Sequence, residues 1–288
     1  LPSIGEPDVL RAAQLQAGVV ARNDYTAGYN VRGGESDQNL VLLAGIPVYN
    51  PFHLAGLFGT FIDQAVGTVE LSVGGFGAEY GGRLSSVLDV GPRVEERPGV
   101  HGGASVSLLA SSLALGGAIG AAPDGGPRTS WNVAARRTYV DALVGALSDR
   151  AFPYHFQDAQ LHAVHRVGRG TLTLTGYVGS DVLDGSFAQF ADTARAGGGD
   201  FDWGNALLGV AWRQPVRAPF GGDSARVEQR LSVTRFGTTL DLGDGSVRFA
   251  NRLREARASG QIAAWGLRGG HAPRVGYEAS AIRVRYDV

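Results

Sequence analysis

The chain has 288 residues, 44% of them hydrophobic, with 26 basic and 27 acidic side chains and a formal net charge of -1. That balance gives no bulk attraction to nucleic acid. Every basic residue is Arg and Cys is absent, which excludes a phosphate-gripping or Schiff-base lysine, a disulfide framework, a thiol nucleophile and a thiolate metal site.

Gly, at 44 residues, is about twice its usual share of roughly 7%, so turns and close backbone approaches are expected. Met is missing even at position 1, and LPSIGEPDVLRAA has no basic, apolar leader. The chain therefore reads as a processed form or a fragment. No window reaches the ~18 apolar residues of a membrane-spanning helix, whereas the short alternating strands of a membrane barrel remain open.

In chain order, Pro7 to Leu15 is a helix candidate, with Pro early and Asp8 in the first turn. Short strands are expected around Tyr29 to Arg32, Asn39 to Leu43, Val66 to Val73 and Ser86 to Val90. This first part reads as compact and mixed α+β. Composition changes near Arg93, and about nine longer runs follow: roughly 100 to 109, 111 to 120, 128 to 140, 155 to 167, 171 to 182, 203 to 216, 225 to 240, 254 to 268 and 273 to 287. Connections are short at 123 to 127, 168 to 170, 218 to 223 and 269 to 273, and longer around 143 to 154, 183 to 202 and 241 to 253. A meander with short turns at one end and long loops at the other is the layout of an outer-membrane barrel.

Alternation within the runs agrees. Ala206, Leu208, Val210 and Trp212 share one face against Asn205, Gly209 and Arg213, with Leu207 as an exception. Leu172, Leu174 and Val178 oppose Thr171, Thr173, Thr175 and Tyr177, and Val227, Leu231 and Val233 oppose Arg226, Glu228, Arg230, Ser232 and Thr234. Trp131, Trp212 and Trp265 fall near short turns, where an interfacial girdle would sit. A soluble β-sandwich would alternate in the same way, but runs of this length exceed the ~5–6 residues usual in soluble sheets. Single-chain bacterial barrels close on an even strand number, so nine strands read as part of a larger barrel.

Few residues invite catalysis. His162 and His165 are spaced HxxH, but three-residue spacing in a strand puts them on opposite faces, so they cannot share an ion; a ligand trio with His155 would need a loop that folds back. GGFGAEYGGR (Gly74 to Arg83) misses the dinucleotide-binding spacing, and no G-x-S-x-G elbow occurs. Neither a catalytic site, a metal site nor a cofactor is expected, and no nucleic-acid partner. What remains is a set of charges in the apolar first part, Arg32, Glu70, Glu79 and Arg83, whose reading as buried pairs or as surface pairs stays open.

Taken together, NVRGGESDQNLVLLAGIPVYNP, VGTVELSVGGFGAEYGGRLSSVLDV and DVLRAAQLQAGVV resemble the plug domain of TonB-dependent outer-membrane receptors, and ARRTYVDAL with the meander resembles the first strands of their barrel. The resemblance implies an α+β plug over residues 1–93, then an all-β antiparallel meander over 94–288, about nine strands of an incomplete transmembrane barrel that in this family has about 22. It also implies a place in the outer membrane of a Gram-negative type envelope, in contact with its lipid. The implied function is binding and active import of an extracellular substrate, a small molecule, glycan or peptide, through a plug-gated barrel. An energising complex of the TonB-ExbB-ExbD type would be the partner, acting through a segment N-terminal to this sequence. The alternative is a soluble all-β ligand-binding or structural protein.

Position by position, Arg32 and Gly33 match the family's Arg-Gly signature, Glu70 its acidic strand position, and Tyr80, Gly81 and Arg83 its tyrosine-glycine turn. Arg32, Glu70 and Arg83 are thereby candidates for a latch between plug and barrel. Glu35, Ser36, Asp37, Tyr49, Asn50 and His53, at apices spanning 33–38 and 48–55, are candidates for substrate contact. Gly33, Gly34, Gly45, Gly81 and Gly82 are implied structural turns. Two positions depart from the pattern: Ala44 where the family has Asp before Gly45, and Ala17 where it has Pro before Gly18. An Asp at 44 would cap its turn, so Ala44 loses a hydrogen bond worth ~0.5–1.5 kcal/mol.

Overall fold

The computed structural model describes residues 7–21, 23, 26–123, 125–139, 141–142, 153–184, 199–218, 224–242, 247–265 and 272–288. Helix α1 (Val9–Ala13) starts where the Asp8 carboxylate accepts hydrogen bonds from the Leu10 and Arg11 amides at 2.8 and 3.4 Å, meeting two of the orphan donors of a first turn. Asp8 also accepts from the Gly59 amide at 2.6 Å, which fixes the helix to the chain it packs on. Strands β1 (Val19–Ala21) and β2 (Tyr29–Val31) pair antiparallel. A four-stranded mixed sheet follows in the order β4 (Ile46–Pro47), β3 (Asn39–Leu43), β8 (Ser86–Pro92), β7 (Val66–Ser72), with β3 parallel to β8. Strand β3 is buried along its whole length, as a central strand covered on both faces must be. A small β5 (Phe52–His53) and β6 (Phe58–Gly59) pair lies between β4 and β7 in sequence.

The turn joining β3 to β4 is Ala44-Gly45, with φ of 52° and 73°, the two-residue turn with both central residues left-handed that matches strand twist. Gly45 suits it; Ala44, with a Cβ, is strained by roughly 1–2 kcal/mol. The capping bond that Ala44 cannot supply is replaced in part from elsewhere: the Gly45 amide donates to Asp89 Oδ1 on β8 at 3.0 Å. Ala44→Gly should therefore raise the unfolding free energy of the full-length protein by about 1 kcal/mol. An unchanged denaturation midpoint would mean that the turn carries no such strain.

Beyond residue 98 the chain is a meander: β9 (Gly99–Val106), β10 (Ala110–Ala121), β11 (Pro127–Thr138), β12 (Tyr154–Val167), β13 (Gly170–Leu183), β14 (Gly199–Val216), β15 (Ser224–Leu242), β16 (Val247–Trp265) and β17 (Arg274–Asp287). Strands β10 to β17 form one antiparallel sheet of eight in sequence order, and β9 turns back on β10 through the Ser107 amide, which donates to Ala110 O at 2.9 Å. All nine predicted runs are strands. The expected long connection at 241 to 253 is mostly strand as well, because β15 and β16 stay paired from Leu242–Val247 inward; its polar residues break the apolar alternation without breaking the ladder. Connections 143–152, 185–198, 219–223, 243–246 and 266–271 lie outside the described residues.

One face of this sheet packs against the first part of the chain and the other is free. On β11 the packed face holds Ser130, Asn132, Ala134, Arg136 and Thr138, and on β12 Tyr154, Phe156, Asp158, Gln160 and His162, all buried. The free face carries Leu113, Leu172, Val178, Leu208, Val210, Leu231 and Val233, which are 40–66% exposed. Leu207, the exception to the alternation, is buried on the packed face, in one apolar cluster with Tyr177, Ile46, Val48 and Leu43. The side-chain period of a strand is kept; what changes at Leu207 is the neighbour, an apolar hairpin in place of polar surroundings. Gly209 is needed there too, since a Cβ at this position would sit 2.4 Å from Ile46 Cδ1.

Candidate functional site

Besides the apolar cluster, the chain between Ala44 and Thr60 meets the packed face of the sheet through polar groups. Arg230 on β15 donates to Gly45 O at 3.3 Å and Thr234 to Pro47 O at 3.4 Å. Tyr49 donates its hydroxyl to Glu255 on β16 at 2.8 Å, and Asn205 on β14 donates to Asn50 O. Arg136 on β11 donates to Gly59 O at 2.7 Å. The sheet thus reaches backbone carbonyls that a short irregular segment leaves free of ladder partners.

His53 is the centre of this contact. It is 1% exposed, with Nε2 2.8 Å from Asp158 Oδ1 and Nδ1 2.7 Å from Asp181 Oδ2. Both ring nitrogens face carboxylates, so the doubly protonated ring donates to both. Its ring stacks on Phe156 with centroids 4.1 Å apart and planes 5° from parallel. Asp158 is held from the other side by Arg136, whose Nε and Nη2 lie 3.0 and 2.6 Å from Oδ2, and by the Tyr177 hydroxyl at 2.7 Å. Asp181 accepts from the Tyr154 hydroxyl and, at 3.3 Å, from the Leu54 amide. Leu54 takes a left-handed φ of 46°, which turns the chain sharply enough for ring and amide to meet the same carboxylate.

Burial alone would push the His53 pKa down, but Asp158 and Asp181 outweigh it and raise it to about 9. The imidazolium is therefore the resident form near neutral pH. Tyr49 is pushed up to about 12 by burial and by Glu255, so it remains a donor. Asp89 is raised by burial, against the Gly45 amide and Arg230 and with Glu70 adding to the rise. The arrangement holds two parts of the chain together by buried charge.

Several expected site residues lie elsewhere. His53, expected at an exposed apex, is buried because two carboxylates of the sheet enclose it. Arg32 is exposed with a φ of 48°, its side chain over Gly18 and Gly74. Glu70 is exposed on β7 opposite Asp89. Arg83 donates to the adjacent Gly82 O at 3.5 Å, and its Nε has no partner. Among the described residues none of these three pairs with the sheet: the connecting charges are His53, Asp158, Asp181, Arg136 and Arg230, with Glu79 and Arg274 as an exposed pair. Tyr49 and Asn50 are half-buried and bonded to the sheet as above. Glu35 and Asp37 are exposed and Ser36 half-buried, on a single turn of 3-10 helix and its entry.

Of the expected turn glycines, Gly33, Gly45 and Gly82 are left-handed. At Gly34 a Cβ would lie 2.6 Å from Ser85 Oγ, and Gly81 shows neither requirement. His162 and His165 do face opposite ways: His162 is buried with Nδ1 3.0 Å from Thr175 Oγ1, while His165 pairs with Thr129 at 2.8 Å.

No protein-family model matches the chain, and no curated protein matches it in sequence. Solved structures do match. The siderophore receptor PirA from Acinetobacter baumannii aligns with a TM-score of 0.65 at 14% identity, over 99% of this chain and 46% of that one. The ferric enterobactin receptor PfeA of Pseudomonas aeruginosa, as its R480A mutant with enterobactin, gives 0.62 at 12% identity over 97% and 47%. FpvA of P. aeruginosa bound to a heterologous pyoverdine gives 0.60 at 13% over 97% and 40%. What is shared is the fold. The meander matches the barrel portion of these TonB-dependent receptors, and the chain spans about half the length of the solved receptors it matches.

Proposed function

We propose that residues 1–93 are the plug and residues 94–288 the first strands of the barrel of an outer-membrane TonB-dependent receptor that binds an extracellular ligand and imports it. The observation that carries this reading is the two-faced sheet: its polar face is seated on the first part of the chain through buried charges, and its other face exposes large apolar side chains in rows. Such rows favour a lipid-facing wall over the soluble all-β alternative, because soluble monomers rarely expose apolar patches beyond a few hundred Å². The neighbours in fold are receptors named for siderophores, which makes a ferric chelate the first ligand class to test, ahead of a glycan or peptide. No covalent chemistry is required of the chain.

In this reading His53, Asp158, Asp181 and Arg136 form the latch that holds the plug. Glu35, Asp37 and Ser36 are the part of the proposed apices left open to a ligand. A TonB-type complex supplies the force that breaks the latch. Full-length protein in a strain lacking its own siderophore receptors should take up a labelled ferric chelate, and uptake should stop when the proton-motive force is collapsed. Uptake that persists after collapse would rule out energised import.

A further inference from the structure

The free face of β15–β17 carries a row of arginines. Arg235 stands opposite Arg254, and Arg254 opposite Arg283. Directly opposed residues of an antiparallel sheet share a face and lie ~5 Å apart. The face is set by their neighbours: Thr234 and Glu255 are buried on the packed side, bonded to Pro47 and Tyr49, so Arg235 and Arg254 alternate to the free side. All three arginines are exposed, and no carboxylate among the described residues pairs with any of them. In the next free-face row, Arg252 stands opposite Arg285. Asp287 serves both, 3.7 Å from Arg252 and 2.8 Å from Arg285. Five guanidinium groups therefore face one carboxylate.

Along the strands in the other direction the face turns apolar. Val233 stands opposite Ala256 and Ala256 opposite Ala281; one row further on, Leu231, Ala258 and Ala279 repeat the order. The branched side chains stand up from the sheet on β15 while the alanines on β16 and β17 leave a step. The result is a shallow apolar groove of about 570 Å³ that begins one row below Arg254.

Like charges directly opposite one another are destabilising, and a guanidinium row with no acid near it is relieved by an external anion. Arg matches phosphate with paired N–H donors. A free phosphate would leave the groove unused, and a neutral acyl chain would leave the arginines unpaired; a molecule with both parts satisfies both. We propose that this face is a binding site for an anionic, phosphate-bearing membrane lipid, with its headgroup on Arg235, Arg254 and Arg283 and an acyl chain in the alanine-floored groove. The proposal rests on the reading of the sheet as a membrane wall.

The test uses full-length protein in neutral detergent, titrated with dioleoylphosphatidic acid, dioleoylphosphatidylcholine or inorganic phosphate, with bound lipid counted by native mass spectrometry. Phosphatidic acid should bind on the order of a hundredfold more tightly than phosphatidylcholine, since each arginine at a membrane surface contributes about a fivefold preference for anionic lipid. Inorganic phosphate should show no saturable binding. Arg235→Gln/Arg254→Gln/Arg283→Gln should abolish the preference. Ala258→Phe fills the groove from the lipid side and should weaken phosphatidic acid roughly tenfold with the arginines intact. Equal binding of the two lipids by protein that inserts into phosphatidylcholine liposomes would overturn the site alone, as would unchanged selectivity in both variants. Failure to insert into those liposomes would overturn the membrane reading on which it rests.

Discussion

Replacing His53 by Phe should lower the stability of the full-length protein by roughly 3–5 kcal/mol, the range for removing one partner of a buried ion pair. Phe keeps the stack on Phe156, whose ring is parallel to the imidazole within 5°, so the change isolates charge and hydrogen bonding from packing. It strands two carboxylates unequally. Asp158 keeps Arg136 and Tyr177, whereas Asp181 is left with only neutral donors, Tyr154 and the Leu54 amide. Adding Asp181→Asn to His53→Phe should thus recover more than half of the loss, because the amide oxygen still accepts from Tyr154 and carries no charge. Urea denaturation of the protein in detergent measures both steps, and proteolysis at the first 60 residues reports whether this part loosens before the sheet unfolds. A His53→Phe protein as stable as the parent, or a double variant no better than the single, would remove the latch.

Much of the fold was legible because it is local. The nine strands follow from period-two alternation and from turn residues at their ends, and Asp8 before Val9 signals a helix start that α1 uses. The latch was not legible, since its members meet across 105 and 128 residues of sequence. The stretch YNPFHLAG reads as an exposed turn, and nothing in it tells that two carboxylates wait on strands far along the chain. A weaker signal did exist. Asp158 shares the parity of Tyr154, Phe156 and His162, and Arg136 that of Asn132 and Thr138; charges on the face that a barrel must fill are charges that need partners inside it. Arg32 misled for the opposite reason: its place beside Gly33 is a matter of backbone conformation, a left-handed pair with φ of 48° and 80°, and needs no ion pair.

The latch should also weaken with rising pH in a window that its geometry sets. Packed around His53 are Asp158 and Tyr177 from β12 and β13, Asp181 and Tyr154 from the same two strands, and Arg136 from β11. The two carboxylates raise the imidazole to about 9 against roughly 6.5 in an unfolded chain. A group with a raised folded pKa gives its full stabilisation below the unfolded value and loses it as pH climbs through the folded one. The contribution is therefore complete below about pH 6.5, declines between there and about 9, and is gone above, a change on the order of 3 kcal/mol at 1.36 kcal/mol per unit. The proper reference is His53→Phe/Asp181→Asn, which keeps Asp158 on Arg136 and adds no stranded carboxylate. The stability difference between parent and reference, measured from pH 6 to pH 10, should shrink across that window, and a constant difference would mean that His53 is neutral throughout. If it shrinks as expected, the first part of the chain is held to the sheet least where protons are scarce, so pulling the two apart should need less work at alkaline pH than at pH 6.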